Sequence, residues 1–242
     1  NDTSTATINV GLPTTGVITV NTTDTAPVND TFCGLAEAMR AADTDAAFFG
    51  CTAGSGADTI VLQAGATYDF AAISGLAFST PLGVPDTDTG IHEVDTDITI
   101  NGNGATISRS SAAQFRFISV WGTGSLTLNN LTFANGDVSG DGGAIRNNNG
   151  TVVLNDVRFS GNTASGDGGA IWNTGQLNMF RSVFSDNTAS EDGGAIHVSA
   201  GGNSRAFQTL FDSNRATGVG GGWFTGAGNT VALRNVTFSG NL

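Results

Sequence analysis

Apolar and polar positions alternate over the N-terminal segment 1–28. Ile8, Val10 and Leu12 are separated by polar or small residues, as are Ile18 and Val20. A period of two predicts strands, with Pro13-Thr-Thr-Gly16 as the turn between them. Over residues 34–42 the period changes. Leu35, Ala38, Met39 and Ala42 fall at i, i+3, i+4 and i+7, one face of a short helix. Such a helix suits the open end of a β-core. From Asp58 onward short apolar runs return, at Thr59–Leu62, Ile98–Ile100, Phe115–Ile118 and Leu126–Leu128. Residues 71–97 are polar, contain two prolines and read as a loop insertion.

The second half repeats itself. Phe159-Ser-Gly-Asn162, Phe184-Ser-Asp-Asn187, Phe211-Asp-Ser-Asn214 and Phe238-Ser-Gly-Asn241 are near-copies. Between them stand Gly142-Gly-Ala-Ile145, Gly168-Gly-Ala-Ile171, Gly193-Gly-Ala-Ile196 and a degraded Gly221-Gly-Trp-Phe224. Equivalent positions recur at nearly constant steps, and a fixed period of this size marks a stacked-repeat architecture. The order Phe-x-x-Asn, polar turn, Gly-Gly-Ala-Ile, apolar run fits one coil of a parallel β-helix. The reading is an all-β, right-handed parallel β-helix with a short N-terminal capping helix, in one domain. Residues 1–28 supply N-terminal strands, 29–57 the helix and capping segment, and 58–242 the coils. Stacking at about 4.8 Å predicts an internal Phe column (Phe133, Phe159, Phe184, Phe211, Phe238). It also predicts a second internal column (Ile145, Ile171, Ile196, Phe224) and an Asn ladder (Asn162, Asn187, Asn214, Asn241).

Composition agrees and narrows the function. The 242 residues include 35 glycines and 4 prolines, as in a turn-dense β protein. All nine basic residues are arginine, against 21 acids, for a net charge of −12. That balance excludes nucleic acid and anionic membranes as partners, since both need basic contacts. No stretch approaches the roughly 18 apolar residues of a membrane span. Cys33 precedes the helical segment and Cys51 follows it. A disulfide fits an exported protein; two buried thiols are the other reading. Zinc is not expected, because His92 and His197 stand outside ligand spacing.

Two segments resemble known proteins. Cys33-Gly-Leu-Ala-Glu-Ala-Met39, followed by Gly50-Cys-Thr-Ala-Gly-Ser-Gly-Ala-Asp-Thr-Ile60, resembles the N-terminal Cys-x-Leu-Arg-Glu-Ala segment of secreted bacterial right-handed β-helix proteins. Ala36 stands where that segment usually has arginine. Ile98-Thr-Ile-Asn-Gly-Asn-Gly-Ala-Thr-Ile107 is similar to their first regular coil. The Gly-Gly-Ala-Ile and Phe-x-x-Asn phrases resemble the repeats of polymorphic outer-membrane proteins. The resemblance implies export and display at the cell surface, and brings no catalytic residues with it.

Three groups of residues carry candidate chemistry. Asp141, Asp167 and Asp192 recur once per coil before Gly-Gly. Aspartate there is ordinary turn chemistry; binding of Ca²⁺ or another cation is the functional alternative, and no other cofactor is expected. A second acidic group, Asp86, Asp88, Glu93, Asp95 and Asp97, surrounds His92 in sequence without matching a Ca²⁺ loop. A glycosidase needs two acids about 5–9.5 Å apart, and a lyase a base beside its carboxylates. No basic residue shares the Asp column, and its regularity argues for a repeat feature, so no catalytic residue is assigned. Arg146, Trp172 and His197 follow the motif isoleucines and should face outward, as should Trp223. They are candidates for contact with a glycan or a protein partner. His197 reads as a solvated surface residue.

The expected role is a non-catalytic extracellular structural protein that polymerises with itself. The sequence of the last coil is followed by no cap, and solenoids normally carry caps. Its edge residues Val231, Leu233, Val236 and Phe238 would meet Ile8, Val10 and Leu12 of another copy. The alternatives are a polysaccharide-active β-helix enzyme and a monomeric glycan-binding adhesin.

Overall fold

The computed structural model describes residues 16–74 and 88–242. Its strands pair in parallel and wind into a β-solenoid, with each coil contributing to three faces. The first face runs in the order Val17–Thr19, Asp58–Val61, Asp97–Arg109, Ser125–Ala134, Thr151–Ser160, Gln176–Phe180, Asn203–Phe207 and Thr230–Arg234. A narrow second face holds Asp137–Val138, Thr163–Ala164, Thr188–Ala189 and Arg215–Ala216. The third stacks Thr89–Val94, Arg116–Trp121, Ile145–Asn148, Ile171–Asn173, Ile196–Val198 and Trp223–Thr225. The one helix among the described residues is Leu35–Asp43.

Alternation sets which side chains fill the coil. On the first face Ile18, Ile60, Ile100, Leu128, Leu154, Met179 and Ala206 lie in one register column and are buried. The predicted Phe column is present and extends to Phe117. Ring centroids are 5.3 Å apart from Phe133 to Phe159 and 4.9 Å at each step from Phe159 to Phe238. Rings in that offset register gain aromatic contact beyond their area burial.

Corners explain the polar half of the repeat. The chain turns through positive φ at Asn103, Asn130, Asp156, Arg181, Gln208 and Asn235, one per coil. It does so again at Gly161, Asp186, Ser213 and Gly240, the third residue of each Phe-x-x-Asn phrase. Asn, Asp and Gly tolerate that conformation best. The asparagines that follow form a closed ladder. Asn187 Oδ1 accepts from the backbone N–H and the side-chain amide of Asn162, at 3.0 and 2.9 Å. Asn187 Nδ2 donates to Asn214 Oδ1 at 2.9 Å and to Phe159 O at 3.1 Å. Asn162, Asn187 and Asn214 are fully buried, so these bonds satisfy groups that water cannot reach.

The helix lies across the N-terminal end of the core, as its apolar face predicts. Seven of its nine residues are buried. Glu37 is among them and accepts from Gly34 N–H at 2.9 Å and from Val28 N–H at 2.8 Å. It thereby holds the helix start where the segment lacks arginine at position 36. Cys33 and Cys51 form a disulfide that brackets the helix, with both residues buried. Closing a loop with a separation of 18 residues should stabilise the fold by about 3 kcal/mol. Melting in reductant should therefore drop by several degrees. An unchanged melting temperature, or two free thiols in unreduced protein, would contradict this.

Two expectations need correction. The insertion does not run to residue 97: Thr89–Val94 is a strand, buried along its length and paired with Arg116–Trp121. Its polar residues hid it: His92 takes the inward register slot beside Ile118 and Glu93 the outward slot beside Ser119, yet both are buried. Among the N-terminal strand residues only Val17–Thr19 is a described strand. Ile8, Val10 and Leu12 lie outside the described residues.

Candidate functional site

The candidate site lies on the outer side of the third face and in the turn that precedes it. Each coil enters this face through a glycine at positive φ: Gly142, Gly168, Gly193 and Gly220. A Cβ on Gly168 or Gly193 would collide with the carbonyl of Ile171 or Ile196, so only glycine serves there. The isoleucine three residues later points inward and the next residue outward. Register therefore places Ser119, Arg146, Trp172, His197 and Phe224 in one outward column.

That register overturns two assignments, the outward Trp223 and the internal Phe224. In the last coil the phrase is Gly220-Gly-Gly-Trp223, one residue earlier than the sequence pattern suggested. Trp223 pairs with Ile196 and takes the inward slot, its ring 5.5 Å from Phe211. Phe224 faces outward, its ring 4.7 Å from His197. Three successive glycines made the frame ambiguous, and the corner at Gly220 fixes it. Trp223 thus belongs to the core and not to an outer contact surface.

Arg146 lies between two indoles, with its guanidinium 5.0 Å from the Trp172 ring centre and 5.9 Å from that of Trp121. This is cation–π geometry. No carboxylate among the described residues pairs with Arg146. Its Nε is buried without a hydrogen-bond partner.

The Asp column is a second ladder. Asp141 Oδ1 accepts from Asp167 N–H at 3.0 Å, and Asp167 Oδ1 from Asp192 N–H at 2.9 Å. Asp192 Oδ1 accepts from Val219 N–H at 2.8 Å. Each carboxylate fastens the turn of the following coil, 25 to 27 residues on, in place of the local turn bond that aspartate ordinarily makes. His197 departs from expectation. Its side chain is only 9% exposed, with Nδ1 3.2 Å from Asp167 Oδ2. Phe224 and Asp167 cover it. Asp167, Asp192 and His197 each offer a donor atom, and these atoms lie within 4.8 Å of one another.

The acidic group around His92 resolves differently. His92 Nε2 is 3.0 Å from Asp43 Oδ2, at the last residue of the helix. Thr96 Oγ1 and the Asp95 N–H donate to Asp43 Oδ1 at 2.9 and 3.3 Å. Burial pushes the Asp43 carboxyl up, but the bonds and charge from His92, Thr96 and Asp95 outweigh it and hold the group below its ordinary value. Burial, then the neighbouring Asp43 carboxylate, push Asp95 the other way. Asp43 was missed from sequence because it lies 49 residues from His92. This cluster fastens the helix to the first coil of the third face. Asp86 lies outside the described residues.

The proposed assembly residues at the far end are accessible. Leu233 and Phe238 are about half exposed, at 49% and 48%, and Val231 and Val236 are half-buried. No described helix is long and apolar enough to cross a membrane.

Residues 156–174 and 181–199 match the Chlamydia polymorphic membrane protein repeat. The first match holds Phe159, Asp167, Ile171 and Trp172; the second holds Phe184, Asp192, Ile196 and His197. The chain is thus a parallel β-solenoid repeat protein that is similar, over these two stretches, to polymorphic membrane proteins. The chain matches no curated protein and no solved structure.

Proposed function

We propose that this chain is a non-catalytic structural β-helix displayed at the cell surface, and that copies of it stack end to end. The repeats it shares with polymorphic membrane proteins support the location. The observation that supports the stacking is the exposed apolar surface of Leu233 and Phe238. Among the described residues, Thr230–Arg234 pairs with Asn203–Phe207 and Thr237–Ser239 with Leu210–Asp212, each along one edge. The ring of Phe238 is stacked on Phe211 and half exposed on its other side. Such a face is a template for one more parallel segment. The segment proposed to fill it is the alternating Ile8, Val10 and Leu12 stretch of a second copy. A heterologous contact of this kind does not close on itself and yields a filament.

Deleting residues 1–15 tests the idea. Intact chain should sediment as polymers and appear as filaments in the electron microscope. The truncated chain should remain a folded monomer with the same far-ultraviolet spectrum. Filaments from the truncated chain, or monomers from the intact chain at high concentration, would reject it. The indole–guanidinium pair of Trp172 and Arg146 supports a second reading, contact with a surface glycan, since an indole packs against a sugar ring and a guanidinium binds a carboxylate.

A further inference from the structure

We propose that Asp167, Asp192 and His197 form a divalent-cation site shared by two successive coils, selective for a borderline metal such as Zn²⁺ over Ca²⁺. The three donors are separated in sequence, and stacking brings one imidazole nitrogen and two carboxylate oxygens within 4.8 Å of one another. Each carboxylate commits Oδ1 to the next coil, to Asp192 N–H and Val219 N–H respectively. One oxygen of each remains for a ligand.

The histidine supplies the independent observation. Its side chain is 9% exposed, and Nδ1 is sealed from solvent without a hydrogen-bond partner. That nitrogen nevertheless points at Asp167 Oδ2, 3.2 Å away. A buried polar atom without a bond is costly. A metal ion between the imidazole and the carboxylates would satisfy it, since Zn²⁺ takes His nitrogen and Asp oxygen at about 2.0–2.2 Å. Charge favours the ion as well. Asp141, Asp167 and Asp192 follow one another coil by coil in a chain of net charge −12. A bound dication offsets their repulsion.

The donor set chooses the metal. Ca²⁺ collects six to eight oxygens, whereas one nitrogen and two oxygens suit Zn²⁺ and its neighbours. Three protein donors leave the fourth position of a tetrahedral ion to water.

Chelator-treated intact chain is titrated with Zn²⁺ by calorimetry, with a parallel ¹H–¹⁵N spectrum of the imidazoles. The chain has two histidines, so the assignment is direct. Saturable binding of one equivalent is expected, with the His197 signals shifted and those of His92 unmoved. Asp192→Asn and His197→Gln should each weaken binding about tenfold or more, and millimolar Ca²⁺ should not displace the metal. Absence of saturable binding, movement of His92 alone, wild-type affinity in both variants, or displacement by Ca²⁺ would each overturn the site. Should a variant fail to fold, the imidazole shifts of the intact chain decide the question.

Discussion

Phe184→Ala and Phe211→Ala should each lower stability by about 3–5 kcal/mol, the range for truncating a buried phenylalanine. Both rings are fully buried. Each is stacked on both sides, Phe184 against Phe159 and Phe211, and Phe211 against Phe184 and Phe238. Truncation leaves two flanking rings facing a void, and the coils cannot collapse into it. The backbone ladders above and below hold their spacing. Phe211→Leu keeps most of the volume and should cost less than half as much. Thr188→Ala, on the narrow outer face, should stay within about 0.5 kcal/mol. Denaturant unfolding of the four variants checks this. Equal midpoints for the alanine variants and Thr188→Ala would show that the column does not hold the core together.

Asn187→Ala should cost about 2–4 kcal/mol, although the residue is polar and no larger than leucine. The loss is not one bond. Asn187 Oδ1 receives two donors of Asn162, the backbone N–H and the amide. The backbone N–H of Asn162 then has no acceptor at a position that is fully buried. A buried donor left unsatisfied costs about 1–3 kcal/mol, and the bonds from Asn187 Nδ2 to Phe159 O and Asn214 Oδ1 go as well. Because each Asn serves the coil before it, hydrogen exchange should rise at Asn162 before it rises at Asn214. Uniform exchange across both coils, or a melting shift within error of wild type, would mean the ladder is dispensable.

These two columns were legible in the sequence because they recur. Phe159, Phe184, Phe211 and Phe238 fall at nearly constant spacing, and one coil identifies the others. Recurrence also exposed the Asp column, whose carboxylates do cap turns. What was hidden arose where the repeat breaks or where distant segments meet. The glycine run 220–222 fits two frames, and only the corner at Gly220 selects the one that buries Trp223. Thr89–Val94 carries His92 and Glu93 at buried positions, so hydropathy concealed a strand. The pairing of His92 with Asp43 depends on where the helix docks. His197 looked solitary because its carboxylates belong to the coil beneath and to the turn beside it.

The corners make length a heritable variable. Each coil closes with the same left-handed residues, and each column needs only that the next coil repeat it. Duplicating residues 188–214 would add one ring to the Phe stack and one rung to the amide ladder. Every register pair outside the duplication would survive. The rod would grow by a single ring spacing, 4.9 Å, with no new interface to evolve. The length of the solenoid can therefore change in whole-coil steps.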